Sequence, residues 1–281
     1  MNVVHLTKHH AVGNDFLVLL DDGGAGEVGP DHARAWCHRH TGIGADGLIV
    51  VTSGTNGADV TMTLFNADGT IAEISGNGIR CLGQAVAMDR GLVELDLTVA
   101  SGSGLRTLHL GPGTDDRSLV ASVDMGMVRV SRERPIDTSD NTPGHDGLAG
   151  SAHVRSLSVE VGNPHTVLLY DDPVERDRVA DALGAGRSNV ELVLAASAPD
   201  AIAMRVIERG VGETLACGSG ACAAAYATRA WGITGDKVRV AMPGGEVSVD
   251  LGGDTVVLTG PTVYVASVEI PVEIPVEIPW P

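Results

Sequence analysis

"AEISGNGIRCLGQAVA" at residues 72–87 and "GETLACGSGACAAAYA" at residues 212–227 decide how this chain is read. Each is a β-like run, then a Gly-x-Gly step, then a run of good helix formers. The residue before the first glycine is Ser75 in one copy and Cys217 in the other. The first turn of a helix carries unpaired N–H groups and the positive end of the helix dipole, so it attracts anions. Glycine there lets a ligand approach the backbone closely. One such start is weak evidence, because a glycine at a helix start usually serves packing. Two that face each other would grip one anion from both sides, with one side chain, Ser75 or Cys217, on each face.

The surroundings of the two stretches repeat as well. The first half opens with two short β-like runs around "AVGND", then a helix over 29–42 from Pro30 to Gly42, then strands "GLIVV" and "DVTMTLFNADG". A helix follows, stopped by Gly91, and then three further strands. The second half has strand, turn and strand in "RSLSVEVGNPHTVLLYDD", a helix over 174–186, two strands, a helix stopped by Gly232, and a hairpin around Pro-Gly-Gly in "KVRVAMPGGEVSVDL". The fold expected is α+β: two pseudo-symmetric halves, each strand-rich with a central helix, and an active site in the cleft between them. The halves are drawn at 1–122 and 123–264. Residues 265–281, with "VEIPVEIPVEIPWP", read as an extended tail, because proline at every fourth position forbids helix and a central strand.

Composition narrows the function. Aromatic residues are 3% of the chain, so the core is built from Val, Leu, Ile and Ala. A net charge of −17 argues against a nucleic-acid partner, which needs clustered Lys and Arg. It leaves room for an acidic small molecule held by one arginine and a few backbone amides. No run of 18 apolar residues suggests a membrane span, and "MNVVHLTKHH" does not read as a signal peptide. A cytoplasmic location is expected. The cysteines Cys37, Cys81, Cys217 and Cys222 fit no disulfide framework and are expected to stay reduced.

The pair of helix starts suits one reaction class. A carboxylate held between two dipoles has its charge compensated, and its α-proton becomes more acidic as the carbanion's charge spreads into it. A base on one face and an acid on the other then invert the stereocentre. This points to racemisation or epimerisation of an amino acid without a cofactor. Cys217, at a helix N-terminus, is expected to be partly exposed, with a lowered thiol pKa. Cys37, Cys81 and Cys222 read as buried and structural. Pyridoxal phosphate chemistry needs a Schiff-base lysine, and Lys8 and Lys237 are the only lysines, neither beside a phosphate-loop pattern. A zinc site from Cys217, Cys222, His9 and His10 has poor ligand spacing, so no metal is expected. A dinucleotide site would need a parallel strand–helix–strand unit, which the hairpin-rich pattern opposes.

In order along the chain, "KHHAVGNDFLVLLD", "HTGIGADGLIVV", "FNADGTIAEISGNGIRC", "VGNPHTVLL", "SNVELV", "IERGVGETLACGSGACAAA" and "VAMPGGEVSV" resemble the motifs of the diaminopimelate epimerases, over residues 8 to about 247. "GNDF" together with "ERGVGETLACGSG" is highly specific. The resemblance implies a cofactor-independent enzyme with two pseudo-symmetric domains, commonly a homodimer, that interconverts LL- and meso-diaminopimelate on the route to lysine and peptidoglycan. It implies that Gly76, Asn77, Gly218 and Ser219 offer amides to the carboxylate at the reacting carbon. Asn14 and Glu208 would hold the amino group there, and Asn66, Asn163, Asn189 and Arg209 the distant amino-acid end. Asparagine both donates and accepts, and arginine forks onto a carboxylate.

Two positions depart from the family. Gly47 stands where some members carry glutamine, and Ser75 stands where the family has its first catalytic cysteine. Two other readings therefore stay open: another amino-acid racemase or dehydratase on the same fold, for which a single thiol suits elimination, and a non-catalytic amino-acid binding protein. The retained "ERGVGETLACGSG" opposes the latter, since a binder has no need of a thiol.

Overall fold

The computed structural model describes residues 3–21, 23, 28–72, 74–132, 154–184, 186 and 188–273. The first half runs β1 (Val3–Ala11), β2 (Asn14–Leu20), α1 (Pro30–Cys37), β3 (Gly47–Ser53), β4 (Val60–Asn66), β5 (Ile71–Ala72), α2 (Gly76–Asp89), β6 (Leu95–Ser101), β7 (Gly104–Pro112) and β8 (Ser118–Asp124). The second runs β9 (Arg129–Arg132), β10 (Arg155–Glu160), β11 (Pro164–Tyr170), α3 (Pro173–Ala182), β12 (Asn189–Ala195), β13 (Ala201–Glu208), β14 (Gly212–Thr214), α4 (Gly218–Ala230), β15 (Lys237–Met242), β16 (Gly245–Asp250) and β17 (Val257–Pro271).

Strands β1, β2, β3, β4, β6, β7, β8 and β17 pair in that order, and β17 returns to β1, so the first half closes as a barrel. Helix α2 runs inside it, with every residue from Gly76 to Ala87 buried. In the second half β10, β11, β12, β13, β15, β16 and β17 pair in succession around α4. A helix that is buried on all faces is a core helix, which explains the small residues Ala221, Ala223, Ala224, Ala225 and Ala227 along α4. Gly91 and Gly232 end the two helices in the left-handed region, at φ 65° and 73°. The α+β class and the two strand-rich halves with central helices are as the sequence suggested.

The repeat extends to register. In the first half Phe16 pairs with Gly47, and Gly47 with Asn66. In the second, His165 pairs with Asn189, and Val190 with Ile207, which sets Asn189 opposite Glu208. Phe16, Gly47 and Asn66 therefore correspond to His165, Asn189 and Glu208.

Three expectations are corrected. Helix α1 stops at Cys37 rather than reaching Gly42. The following loop folds back, and the amides of Ile43, Gly44 and Ala45 take the carbonyls of Trp36 and Cys37. Gly42 is needed for that close return: a Cβ there would lie 2.2 Å from the Ala35 carbonyl oxygen. Parallel strand–helix–strand units do occur, in β2–α1–β3 and β11–α3–β12, and around α2 and α4 through β4–β6 and β13–β15. The hairpin-rich pattern hid them, because each parallel pair lies between antiparallel ones. Finally, β17 continues through residues 265–271, pairing with β1 as far as Val3↔Pro271. Proline is tolerated there because it closes the end of the ladder. Residues 274–281 of the expected tail lie outside the described residues.

Leu258 of β17 is fully buried between the two helix starts. A Cβ on Gly76 would stand 2.8 Å from its Cδ2, and one on Gly218 would stand 2.9 Å from the same atom. Leu258→Ala is expected to cost about 2–5 kcal/mol of stability, the usual range for emptying a packed leucine site. Urea unfolding measures this, and a loss below about 1 kcal/mol would show that the starts are held in place by something else.

Candidate active site

Ser75 and Cys217 are the N-caps of α2 and α4, both in extended backbone, at φ −149° and −129°. Ser75 Oγ accepts the Gly78 N–H at 2.9 Å, and Cys217 Sγ accepts the Gly220 N–H at 3.4 Å. Serine is among the best N-caps, so Ser75 suits the helix start. The carbonyls of the two caps take the Ile79 and Ala221 amides. The amides of Gly76, Asn77, Gly218 and Ser219 precede these bonds and have no partner within their helices. The two starts meet: a Cβ on Gly218 would lie 3.5 Å from the Asn77 amide nitrogen.

The glycines also serve packing: Gly76 and Gly218 make room for Leu258. Gly220 makes room for Glu191, whose Oε1 would lie 2.7 Å from an added Cβ, and its counterpart Gly78 faces Ile49 at 3.3 Å.

Asn77 joins the halves. Its Nδ2 donates to Asn14 Oδ1 at 3.1 Å and to the carbonyl of Ala216, the residue before Cys217, at 3.2 Å. Its Oδ1 accepts from Arg80 at 2.7 Å. Asn14 in turn donates to Asp46, which with Asp15 binds Arg39 at 2.7 and 2.8 Å. Burial works against the Asp15 charge, but Arg39 and Lys8 outweigh it and hold the carboxyl below its usual range. This ionic frame fixes the start of β2.

Asn14, Gly47 and Asn66 lie at one end of three adjacent strands, and Asn163, Asn189 and Glu208 at the equivalent end in the second half. Asn66 donates to Thr70 Oγ1 at 2.9 Å, and so also serves its turn. Asn189 Oδ1 takes the Arg209 backbone N–H at 2.9 Å while Nδ2 gives to the Pro164 carbonyl at 3.2 Å. The Arg209 side chain is exposed. Asn163 Oδ1 lies 2.8 Å from His165 Nε2, and His165 Nδ1 lies 2.6 Å from Glu191 Oε1, with both ionisable residues buried. Gly13 packs on Leu215 and Gly162 on Ile74, so the first turn of each half reaches the segment leading to the other half's helix.

Cys217 departs from expectation. It is 6% exposed, and its thiol is pushed up, not down. Burial is the main cause, with the carboxylates of Glu208 and Glu191 adding to it, while the bonds from Ser219 and Gly220 pull the other way. The helix start alone does not make a thiolate when two acids stand behind the sulfur. Burial also pushes up Cys37, Cys81 and Cys222, each to about 12. Glu208 is itself raised, chiefly by burial, against a 2.5 Å bond from Thr214 Oγ1.

The family model for diaminopimelate epimerase matches residues 6–130 and 157–265. A diaminopimelate epimerase of Desulfitobacterium hafniense is 37% identical, covering 93% of this chain and 96% of that one. One from Pseudomonas syringae is 35% identical, covering 95% and 99%. The chain belongs to the diaminopimelate epimerase family. Among solved structures, a predicted epimerase of Pseudomonas aeruginosa superposes with a TM-score of 0.73 at 16% identity, over 95% of this chain and 99% of that one. A hydroxyproline epimerase of Agrobacterium vitis gives 0.69 at 15%, over 96% and 92%. These two show the shared fold.

Asp46, Arg39, His165, Glu191 and Leu258 were not singled out from the sequence. The strand register could have found His165 and Glu191, once β11 and β12 were recognised as a parallel pair. If Glu208 helps hold the Cys217 thiol protonated, Glu208→Gln lowers the thiol's pKa and exposes more thiolate at pH 8. Iodoacetamide labelling of Cys217, read by mass spectrometry, is then expected to be faster in the variant. An unchanged or slower rate would remove Glu208 from control of the thiol.

Proposed function

We propose that the chain interconverts LL- and meso-diaminopimelate by removing and returning the α-proton, without a cofactor, in lysine and peptidoglycan biosynthesis. The observation that carries this reading is the meeting of two helix starts, one capped by the Cys217 thiol and the other by Ser75. In the proposal, the amides of Gly76, Asn77, Gly218 and Ser219 receive the carboxylate at the reacting carbon. Asn14 and Glu208 take its amino group. Asn66, Asn163, Asn189 and Arg209 bind the distant amino-acid end, where the exposed guanidinium can fork onto a carboxylate. Gly47 supplies no side chain to this set. The proposal includes a cytoplasmic homodimer, on the strength of the family.

Proton transfer follows from the caps. In its thiolate form Cys217 takes the α-proton from the isomer that presents it, becoming the thiol, and leaves a carbanion whose charge spreads into the held carboxylate. Inversion then needs an acid on the opposite face. A hydroxyl is far less acidic than a thiol, and the one hydrogen-bond partner found for Ser75 Oγ among the described residues is the Gly78 amide, which is no base. Ser75 therefore keeps the fold and the anion grip but slows inversion.

Ser75→Cys is expected to raise epimerisation in both directions by about 10²-fold or more, the usual scale for an acid–base group. Coupled assay of both isomers measures this. An unchanged or lower rate would make Ser75 a working catalytic residue and the protein no ordinary diaminopimelate epimerase.

A further inference from the structure

Arg80 lies on α2, one turn beyond Asn77, and is fully buried. Helix side chains lean toward the N-terminus, so its guanidinium lies back over the first turn. The bond from Nη2 to Asn77 Oδ1, at 2.7 Å, places it there. Nε and Nη1 are buried and have no hydrogen-bond partner among the described residues. The strand β17 accommodates the group at Gly260, where an added Cβ would press to 3.4 Å from Cζ and Nη1.

A buried charge is normally paired, because leaving it alone in a low-dielectric interior is costly. This chain has 36 acidic residues, yet no ion pair among the described residues involves Arg80. The helix dipole makes the position worse, since its positive end favours anions. The corresponding position on α4 is Cys222, so the charge is present once and not as part of the repeat. Burial draws the guanidinium down to about 10, still charged at neutral pH. Holding Asn77 in place needs only a donor, and an uncharged side chain could supply that.

We propose that Arg80 is the fixed counter-charge for the carboxylate at the reacting carbon, acting through Asn77 and through its field at the two helix starts, and that it lacks a protein counter-ion because the substrate supplies one. This rests on the functional reading above. Arg80 is a positioning residue: it holds Asn77 and biases the site toward an anion, and that bias grows as the carbanion's charge moves into the carboxylate.

Arg80→Met and Arg80→Lys in the full chain test it. Three quantities are measured: melting temperature, meso-diaminopimelate affinity by calorimetry, and kcat for α-proton exchange in D2O. Removing an unpaired buried charge leaves Arg80→Met as stable as the wild type or more so. Its affinity is expected to fall by about 10- to 100-fold, the scale of a lost charged hydrogen bond, with a further fall in kcat. Arg80→Lys keeps the charge and is expected to stay within about threefold in affinity. A purely structural role predicts the reverse, with lower stability and unchanged affinity once folded, and that result overturns the proposal. Equal losses in the Met and Lys variants also overturn it, since charge would then not matter. If Arg80→Met does not fold, Arg80→Gln replaces it in the same comparison with Arg80→Lys. Wild-type protein that does not bind meso-diaminopimelate overturns the functional reading and this proposal together, whereas wild-type binding matched by Arg80→Met overturns this proposal alone.

Discussion

Two helices that point their positive ends at one spot repel each other, and this fold is organised around holding them there. Leu258 packs against Gly76 and Gly218 at once. Asn77 ties the first start to Asn14 on one side and to Ala216 on the other. Both helices are enclosed by strands, and β17 belongs to both enclosures, pairing with β8 along one edge and with β16 and then β1 along the other. The positive ends cannot relax apart without tearing that shared strand. An anion is the natural partner for such a place.

The symmetry of the scaffold is close, and the chemistry lies where it breaks. Ser75 answers to Cys217, Ile49 to Glu191, Gly47 to Asn189 and Arg80 to Cys222. A carbon with a proton on either face needs two opposed groups, which duplication supplies. The surroundings of those groups then differ. Cys217 is buried near Glu208 and Glu191, and burial first, then those carboxylates, restrain its ionisation. On the Ser75 side, Gly78 faces Ile49, an apolar residue in the place of Glu191.

Much of this was readable in the sequence. The duplicated helix starts, their glycine stops and the hairpin at 237–250 announce themselves locally, because capping, turn chemistry and periodicity are short-range effects. The family resemblance added Asn14, Asn163, Asn189, Glu208 and Arg209, which the fold brings to matching strand ends. Other features depend on partners far along the chain. Gly76 is a glycine because of Leu258, and the end of α1 is set by a loop that folds back onto it. The Cys217 thiol differs from expectation for the same reason: the helix start is local, but the burial that raises the thiol, and the carboxylates of Glu208 and Glu191 that add to it, come from elsewhere in the fold. Strand β17 outran its expected end because its pairing with β1, at the opposite end of the chain, outweighs the local preference of "VEIP".

The central claim is that the two faces of the site are unequal in proton transfer. It is tested most directly by incubating LL- and meso-diaminopimelate separately with the protein in D2O and following α-deuterium incorporation before any interconversion. One isomer is expected to exchange far faster than the other and largely to keep its configuration, because Cys217 takes and returns a proton on its own face while Ser75 completes the inversion only slowly. Equal exchange of both isomers, with inversion keeping pace, would contradict the claim.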